Sequence, residues 1–155
     1  MEFTAENKAR FDRILARYPV KRSALIPTLH LIQEQEGFLS TAALEYAASL
    51  LELTPAQVHD TASFYTMFRF RPEGRRHIEV CTNISCALNG ADELMAKLCG
   101  RLGIRAGETT ADGRVTLLTV ECLCACEQAP MMQVDDRYEG LLTPEKVDRI
   151  LDGLS

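Results

Sequence analysis

The sequence predicts a mixed α+β/α/β chain in two parts: a small helical bundle over residues 1–72 and a compact layer of sheet and helices over residues 73–155. Three observations carry this expectation. Apolar residues recur at helical spacing through the first part, behind strong start signals. "RFRPEGRR" (69–76) then interrupts the pattern with Pro72 and Gly74. Beyond it, alternating segments interleave with helical ones in the order β-α-β-β-α, which suits a sheet with helices on one side.

In the first part, "TAENKARFDRILARY" offers Thr4 as a cap and Phe11, Ile14, Leu15 and Tyr18 as one apolar stripe. A second helix is expected from Ser23 to about Glu36, with Pro27 tolerated in its first turn and Gly37 as its stop. A third follows Ser40, with Leu44, Ala47, Ala48 and Leu51 inward. "TPAQ" starts a fourth: Thr54 is the N-cap, Pro55 the first helical residue and Gln57 the partner of a capping box.

In the second part, "HIEV" (77–80) alternates as a strand with Ile78 and Val80 on one face. "NGADELMAKLCGRLG" (89–103) predicts a helix capped by Asn89 and ended at Gly103, its apolar side carrying Met95, Leu98, Cys99 and Leu102. "ADG" is a turn, "RVTLLTVE" (114–121) a strand, "PMMQVDDRYEGLL" (130–142) a hairpin and "TPEKVDRIL" (143–151) a last helix. The acidic "VDDRYEG" stretch is expected to be a solvated turn.

Composition bounds the function. A chain of 155 residues buries roughly two-thirds of its unfolded surface and needs no disulfide support. With 46% hydrophobic and 25% charged residues it has the make-up of a soluble globular protein. The N-terminal residues do not resemble a signal peptide and no apolar run is long enough to span a membrane, so a cytoplasmic setting is expected. There, cysteines serve as metal ligands or redox groups more often than as disulfides. A net charge of −5 argues against nucleic acid or an anionic membrane as the main partner.

All six cysteines lie in the second part. "CTNISC" follows a strand and holds Cys81 and Cys86. "CLCAC" follows another and holds Cys122, Cys124 and Cys126. Two strand-end loops could bring Cys81, Cys86, Cys122 and Cys126 to one place, and four thiolates suit either zinc or an iron–sulfur cluster. Structural zinc usually takes cysteines two residues apart. The wider C-x4-C spacing favours a two-iron unit, and zinc remains the alternative. A thiol–disulfide enzyme using "CLC" or "CAC" is a third possibility, although C-x-x-C at a helix start is missing.

"CTNISCALNGADEL", "ECLCACEQAPMMQV" and "YEGLLTPEKVDRIL" together resemble the small iron–sulfur subunit, of the E type, found in NADH:quinone oxidoreductase (respiratory complex I), and its relatives in NAD-linked formate dehydrogenases and hydrogenases. "KRSALIPTLHLIQEQEGFLS" and "ASFYTMFRFRPEGRRHIEVC" extend the likeness over nearly the whole chain. The terminal stretches look closest to the respiratory branch. The resemblance implies a helical region followed by a thioredoxin-like ferredoxin domain with one [2Fe–2S] cluster on Cys81, Cys86, Cys122 and Cys126. It also implies a partner flavoprotein that holds FMN and the NADH site, and a place peripheral to the inner face of the membrane. Where the family usually has glycine in E-C-L-G-A-C, this chain has Cys124, expected to be a small residue accepted at a tight turn or a spare sulfur.

Such a cluster is an anion that gains further negative charge on reduction. The helix starting near Asn89 is expected to point its positive end toward it, while Asp92, Glu93, Glu121 and Glu127 oppose the added electron. "GRLGIRAG" lacks the order of a dinucleotide-binding turn and no phosphate loop is present, so nicotinamide and flavin are expected on the partner. His30 reads as a packing residue, His59 and His77 as surface residues, and Cys99 as buried packing. "FYTMFRFRP" (64–72) mixes aromatics with arginine as contact surfaces do.

Overall fold

The computed structural model describes residues 1–154. It divides into two compact units, Met1–Pro72 and a second beginning at Glu73.

The first unit is built from α1 (Ala5–Leu15), α2 (Leu25–Glu36), α3 (Thr41–Leu51) and α4 (Pro55–Phe64). Side-chain caps set three of the starts. Thr4 accepts from the Asn7 amide and Ser40 from the Ala43 amide, each at 3.2 Å. Thr54 and Gln57 close a reciprocal box, with the Gln57 amide 3.3 Å from Thr54 Oγ1 and the Thr54 amide 3.0 Å from Gln57 Oε1. The approach to α2 differs from the expected start at Ser23: Lys21–Ala24 first winds as a 3₁₀ turn, and Pro27 falls in the first turn of α2. Tyr18 lies beyond α1 and is exposed. Leu29, Ile32, Leu44, Ala47, Leu51 and Val58 close the core, and Phe68 turns into it while Phe64, Met67 and Phe70 stay exposed. The His30 ring packs at a tilt against that of Phe68, with centroids 4.9 Å apart, in keeping with a packing role.

The second unit contains β1 (Arg76–Cys81), α5 (Ile84–Leu88), α6 (Ala91–Leu102), β2 (Glu108–Thr109), β3 (Val115–Val120), β4 (Met132–Val134), β5 (Arg137–Glu139) and α7 (Pro144–Asp152). The sheet order is β2-β3-β1-β4-β5. β1 and β3 are parallel, with Ile78 opposite Leu117 and Cys81 opposite Val120; the other pairings are antiparallel. Leu94 and Leu98 of α6 and Val147 of α7 bury the sheet face formed by Ile78, Val80, Leu117 and Met132. Asp148 of α7 is clamped by Lys97 at 2.7 Å and by Arg101, whose other arm reaches Asp152 at 2.7 Å.

Several expectations are corrected here. Asn89 does not cap the long helix. It closes the short α5 by donating to the Ser85 carbonyl at 2.7 Å, and Gly90, at φ 92°, then turns the chain into α6. His77 is buried rather than superficial, with Nε2 3.1 Å from Glu73 Oε2. Asp135 is not simply solvated: its carboxylate accepts from the His77 amide at 2.9 Å and from Arg76 at 2.8 Å, pinning the β4–β5 turn to β1. Cys99 is half-buried against the α6 core. Gly74 owes its place to proximity, since a Cβ there would lie 2.8 Å from the backbone of Thr116 and Val115.

Two substitutions test this packing. Leu98→Ala empties a fully buried site and is expected to cost about 2–5 kcal/mol of stability, read as a lower urea midpoint. Gly74→Ala is expected to lower the midpoint by forcing β1 and β3 apart, with helical circular dichroism largely retained.

Candidate metal centre

Parallel pairing brings the carboxyl ends of β1 and β3 to the same edge of the sheet. Cys81 is the last residue of β1, opposite Val120, the last residue of β3. The pairing runs one step further, as the Thr82 amide donates to the Val120 carbonyl at 3.0 Å. On one side of this junction, Asn83 accepts from the Ile84 amide at 2.9 Å and starts α5, which carries Cys86. On the other, residues 121–125 turn into a 3₁₀ segment at Cys126–Gln128. Cys86 therefore sits on a helix, where a loop was expected. The cap Asn83 was the available signal, but five residues are too short for periodicity to show.

Cys81 and Cys86 are buried, whereas Cys122, Cys124 and Cys126 are exposed. Leu123, Ala125, Met131 and Ala91 pack around the two buried thiols. Ala91 opens α6, so the positive end of that helix approaches the thiols as expected, although it begins after Gly90. The thiols of Cys86 and Cys122 both lie near enough to Cys81 to act on its acidity. Cys122 in turn lies 3.9 Å from Cys124 and accepts the Cys124 amide at 3.2 Å.

The two buried thiols differ in acidity. Burial pushes Cys81 up, but the amides of Asn83 and Leu123 and the thiols of Cys86 and Cys122 outweigh it and hold Cys81 below the ordinary thiol range. Burial pushes Cys86 up, and the neighbouring Cys81 adds to the rise; charge on Cys126 acts in the same direction. Of the two buried thiols, Cys81 is the one whose surroundings favour the thiolate. Cys124 is raised by its contact with Cys122 and by the charges of Cys122, Cys126 and Cys81.

Among the described residues, no group of three or more Cys, His, Asp or Glu side chains is arranged to hold a single ion. Cys81 and Cys86, buried, and Cys122 and Cys126, exposed, offer the four thiolate donors that a two-iron unit requires. The residues present fit such a cluster.

Two features of the site escaped the sequence. Cys124 has φ 56°, so its backbone does occupy the left-handed region that glycine prefers. The turn after Cys126 is also braced from afar: the Leu141 amide donates to the Gln128 carbonyl at 2.7 Å, and a Cβ on Gly140 would lie 2.4 Å from Gln128 Cβ. The glycine in "YEGLL" was visible, but not its contact.

Residues 11–155 match the family model described as thioredoxin-like [2Fe-2S] ferredoxin. A second E-type subunit of the NADH-quinone oxidoreductase of Rhizobium meliloti (strain 1021) is 47% identical over 145 residues, which cover 94% of this chain and 86% of that protein. The E-type subunit of the NADH-quinone oxidoreductase of Rickettsia bellii (strain RML369-C) is 42% identical over 155 residues, covering 98% and 93%. Among solved structures, an NAD+-reducing [NiFe]-hydrogenase in the air-oxidized state superposes with a TM-score of 0.72 at 25% identity, over 82% of this chain and 22% of that one.

Relief of the left-handed strain by Cys124→Gly is expected to stabilise the metal-free chain by about 0.5–1 kcal/mol, seen as a higher denaturant midpoint. Gly140→Ala is expected to cost about 1–3 kcal/mol and to speed alkylation of Cys126, because the brace on its turn is pushed away.

Proposed function

The chain belongs to the thioredoxin-like [2Fe–2S] ferredoxin family, and from that premise we propose that it is the small iron–sulfur subunit of an NADH–quinone oxidoreductase. In this reading Cys81, Cys86, Cys122 and Cys126 hold one [2Fe–2S] cluster that exchanges single electrons with the FMN of an NADH-binding flavoprotein partner. The observation that carries it is the meeting of inner and outer thiols at one sheet edge. The names of the relatives at 47% and 42% identity support the choice of complex. The hydrogenase likeness is to a related system at lower identity, so an NAD-linked hydrogenase or formate dehydrogenase is the second reading.

When bound, the cluster supplies a store for one electron; a hydride carries two, so hydride chemistry is assigned to the partner's flavin. This chain's residues do the rest. Cys81 and Cys86 grip from within, and Leu123, Ala125 and Met131 keep water off that side. The amides of Asn83 and Leu123 toward Cys81, and of Cys124 toward Cys122, place positive dipole ends on sulfurs that must remain charged. Cys122 and Cys126 leave the opposite side open to a partner. Among the described residues no helix is long and apolar enough to cross a membrane. Attachment to the inner face of the membrane is accordingly assigned to the partners.

Anaerobically prepared protein is expected to be brown, to bleach with dithionite, and to contain about two iron and two acid-labile sulfide per chain. A colourless zinc protein or a metal-free dithiol would defeat the proposal. Cys86→Ala is expected to lose the cluster while leaving the helical unit folded. Glu127→Gln, which removes a negative charge beside Cys126, is expected to raise the reduction potential; an unchanged potential would remove the electrostatic role given to Glu127. Co-purification of a flavoprotein from the native source, identified by mass spectrometry, separates the respiratory from the hydrogenase and formate readings.

A further inference from the structure

The sulfurs of Cys122 and Cys124, both exposed, stand 3.9 Å apart. Metal–sulfur bonds of about 2.3 Å in a tetrahedral thiolate site place two sulfurs on one ion about 3.8 Å apart. The two cysteines already have the spacing of a pair on one metal. A single tight turn produces it: the Cys124 amide donates to Cys122 Sγ at 3.2 Å, and φ 56° at Cys124 folds the chain back over Cys122. The outer ligand Cys126 is likewise exposed and lies on the next short turn, so it is open to oxidation or alkylation.

We propose that Cys124 is a reserve ligand, able to take the place of Cys126 on the iron that Cys122 binds when the Cys126 thiolate is lost. The exchange is a ligand substitution without electron transfer. The bond from iron to the Cys126 sulfur is absent, a bond from iron to the Cys124 sulfur forms, and the proton of the Cys124 thiol passes to solvent. This inference rests on the [2Fe–2S] reading of the site.

The test compares wild-type protein with Cys126→Ala, Cys124→Ala and the double variant, all prepared anaerobically as the full chain. Alanine cannot ligate, so any retained cluster must use another residue. Iron and sulfide content, the electron paramagnetic resonance of the reduced state, and iodoacetamide labelling of Cys124 located by mass spectrometry are measured. Cys126→Ala is expected to keep most of the cluster with an altered resonance and with Cys124 newly protected from labelling. Cys124→Ala should keep a wild-type cluster and resonance, and the double variant should lose nearly all iron and sulfide. Equal loss in Cys126→Ala and the double variant overturns the inference, as does a retained cluster with Cys124 still labelled as in wild type. Circular dichroism of the metal-free forms checks folding, and Cys126→Gly, which likewise cannot ligate, repeats the comparison should the alanine variant not fold. Wild-type protein without iron would overturn the functional reading and this inference together, whereas a normal wild type with equal losses overturns this inference alone.

Discussion

The parallel pairing of β1 with β3 is the constraint on which the site depends. In a parallel pair both strands end at the same edge, so whatever follows each strand emerges on the same side. The register does the rest. With Cys81 opposite Val120, residues five and two positions beyond these ends, Cys86 and Cys122, start their turns from adjacent points. A slip of one residue would move the side chains of β1 to the opposite face and take Cys81 away from Leu123 and Met131. That register is held by the apolar face shared with α6 and α7, by the bond from Gly74 to Thr116, and by Asp135 gripping Arg76 and His77.

Burial divides the thiols by task. An ionised group in an apolar pocket must be stabilised by nearby dipoles or it takes up a proton. Cys81 has such dipoles and is held low; Cys86 has less compensation and is raised. In the proposed cluster the buried Cys81 and Cys86 would be shielded by apolar packing, and Cys122 and Cys126 would face the open edge of the site. A carrier that exchanges electrons with another protein needs both properties at once.

Backbone strain gathers near the same place. Among the described residues, four non-glycine residues have positive φ, and two of them, Cys124 and Leu141, lie in the segments that flank or brace the outer thiols. Each such residue costs on the order of 1–3 kcal/mol and persists because its surroundings over-determine it. Leu141 is held by the Gln128 carbonyl and by close packing of Gly140, and Cys124 by the sulfur that accepts its amide.

The helices with chemical start signals were legible from residues alone. Thr4, Ser40 and Thr54 cap the helices predicted for them, and Gly37 ends α2 in the left-handed region, because caps and glycine stops act over three or four residues of local chain. The spacing of the cysteines likewise nominated a thiolate centre and the residues to consider. Local signals misjudged the segments between Cys81 and Ala91, where a five-residue helix ends at Asn89 and Gly90 opens the longer one. They also missed the two-residue β2, which carries too few residues for alternation to show, and the burial of His77 beside Glu73. Residue types and their spacing determined what chemistry this chain has available. The convergence of the Cys81 and Cys122 segments, the contrast between inner and outer thiols, and the brace from Gly140 were decided only by tertiary structure, since each depends on pairing between segments far apart in the chain, and such pairing leaves no mark in local sequence.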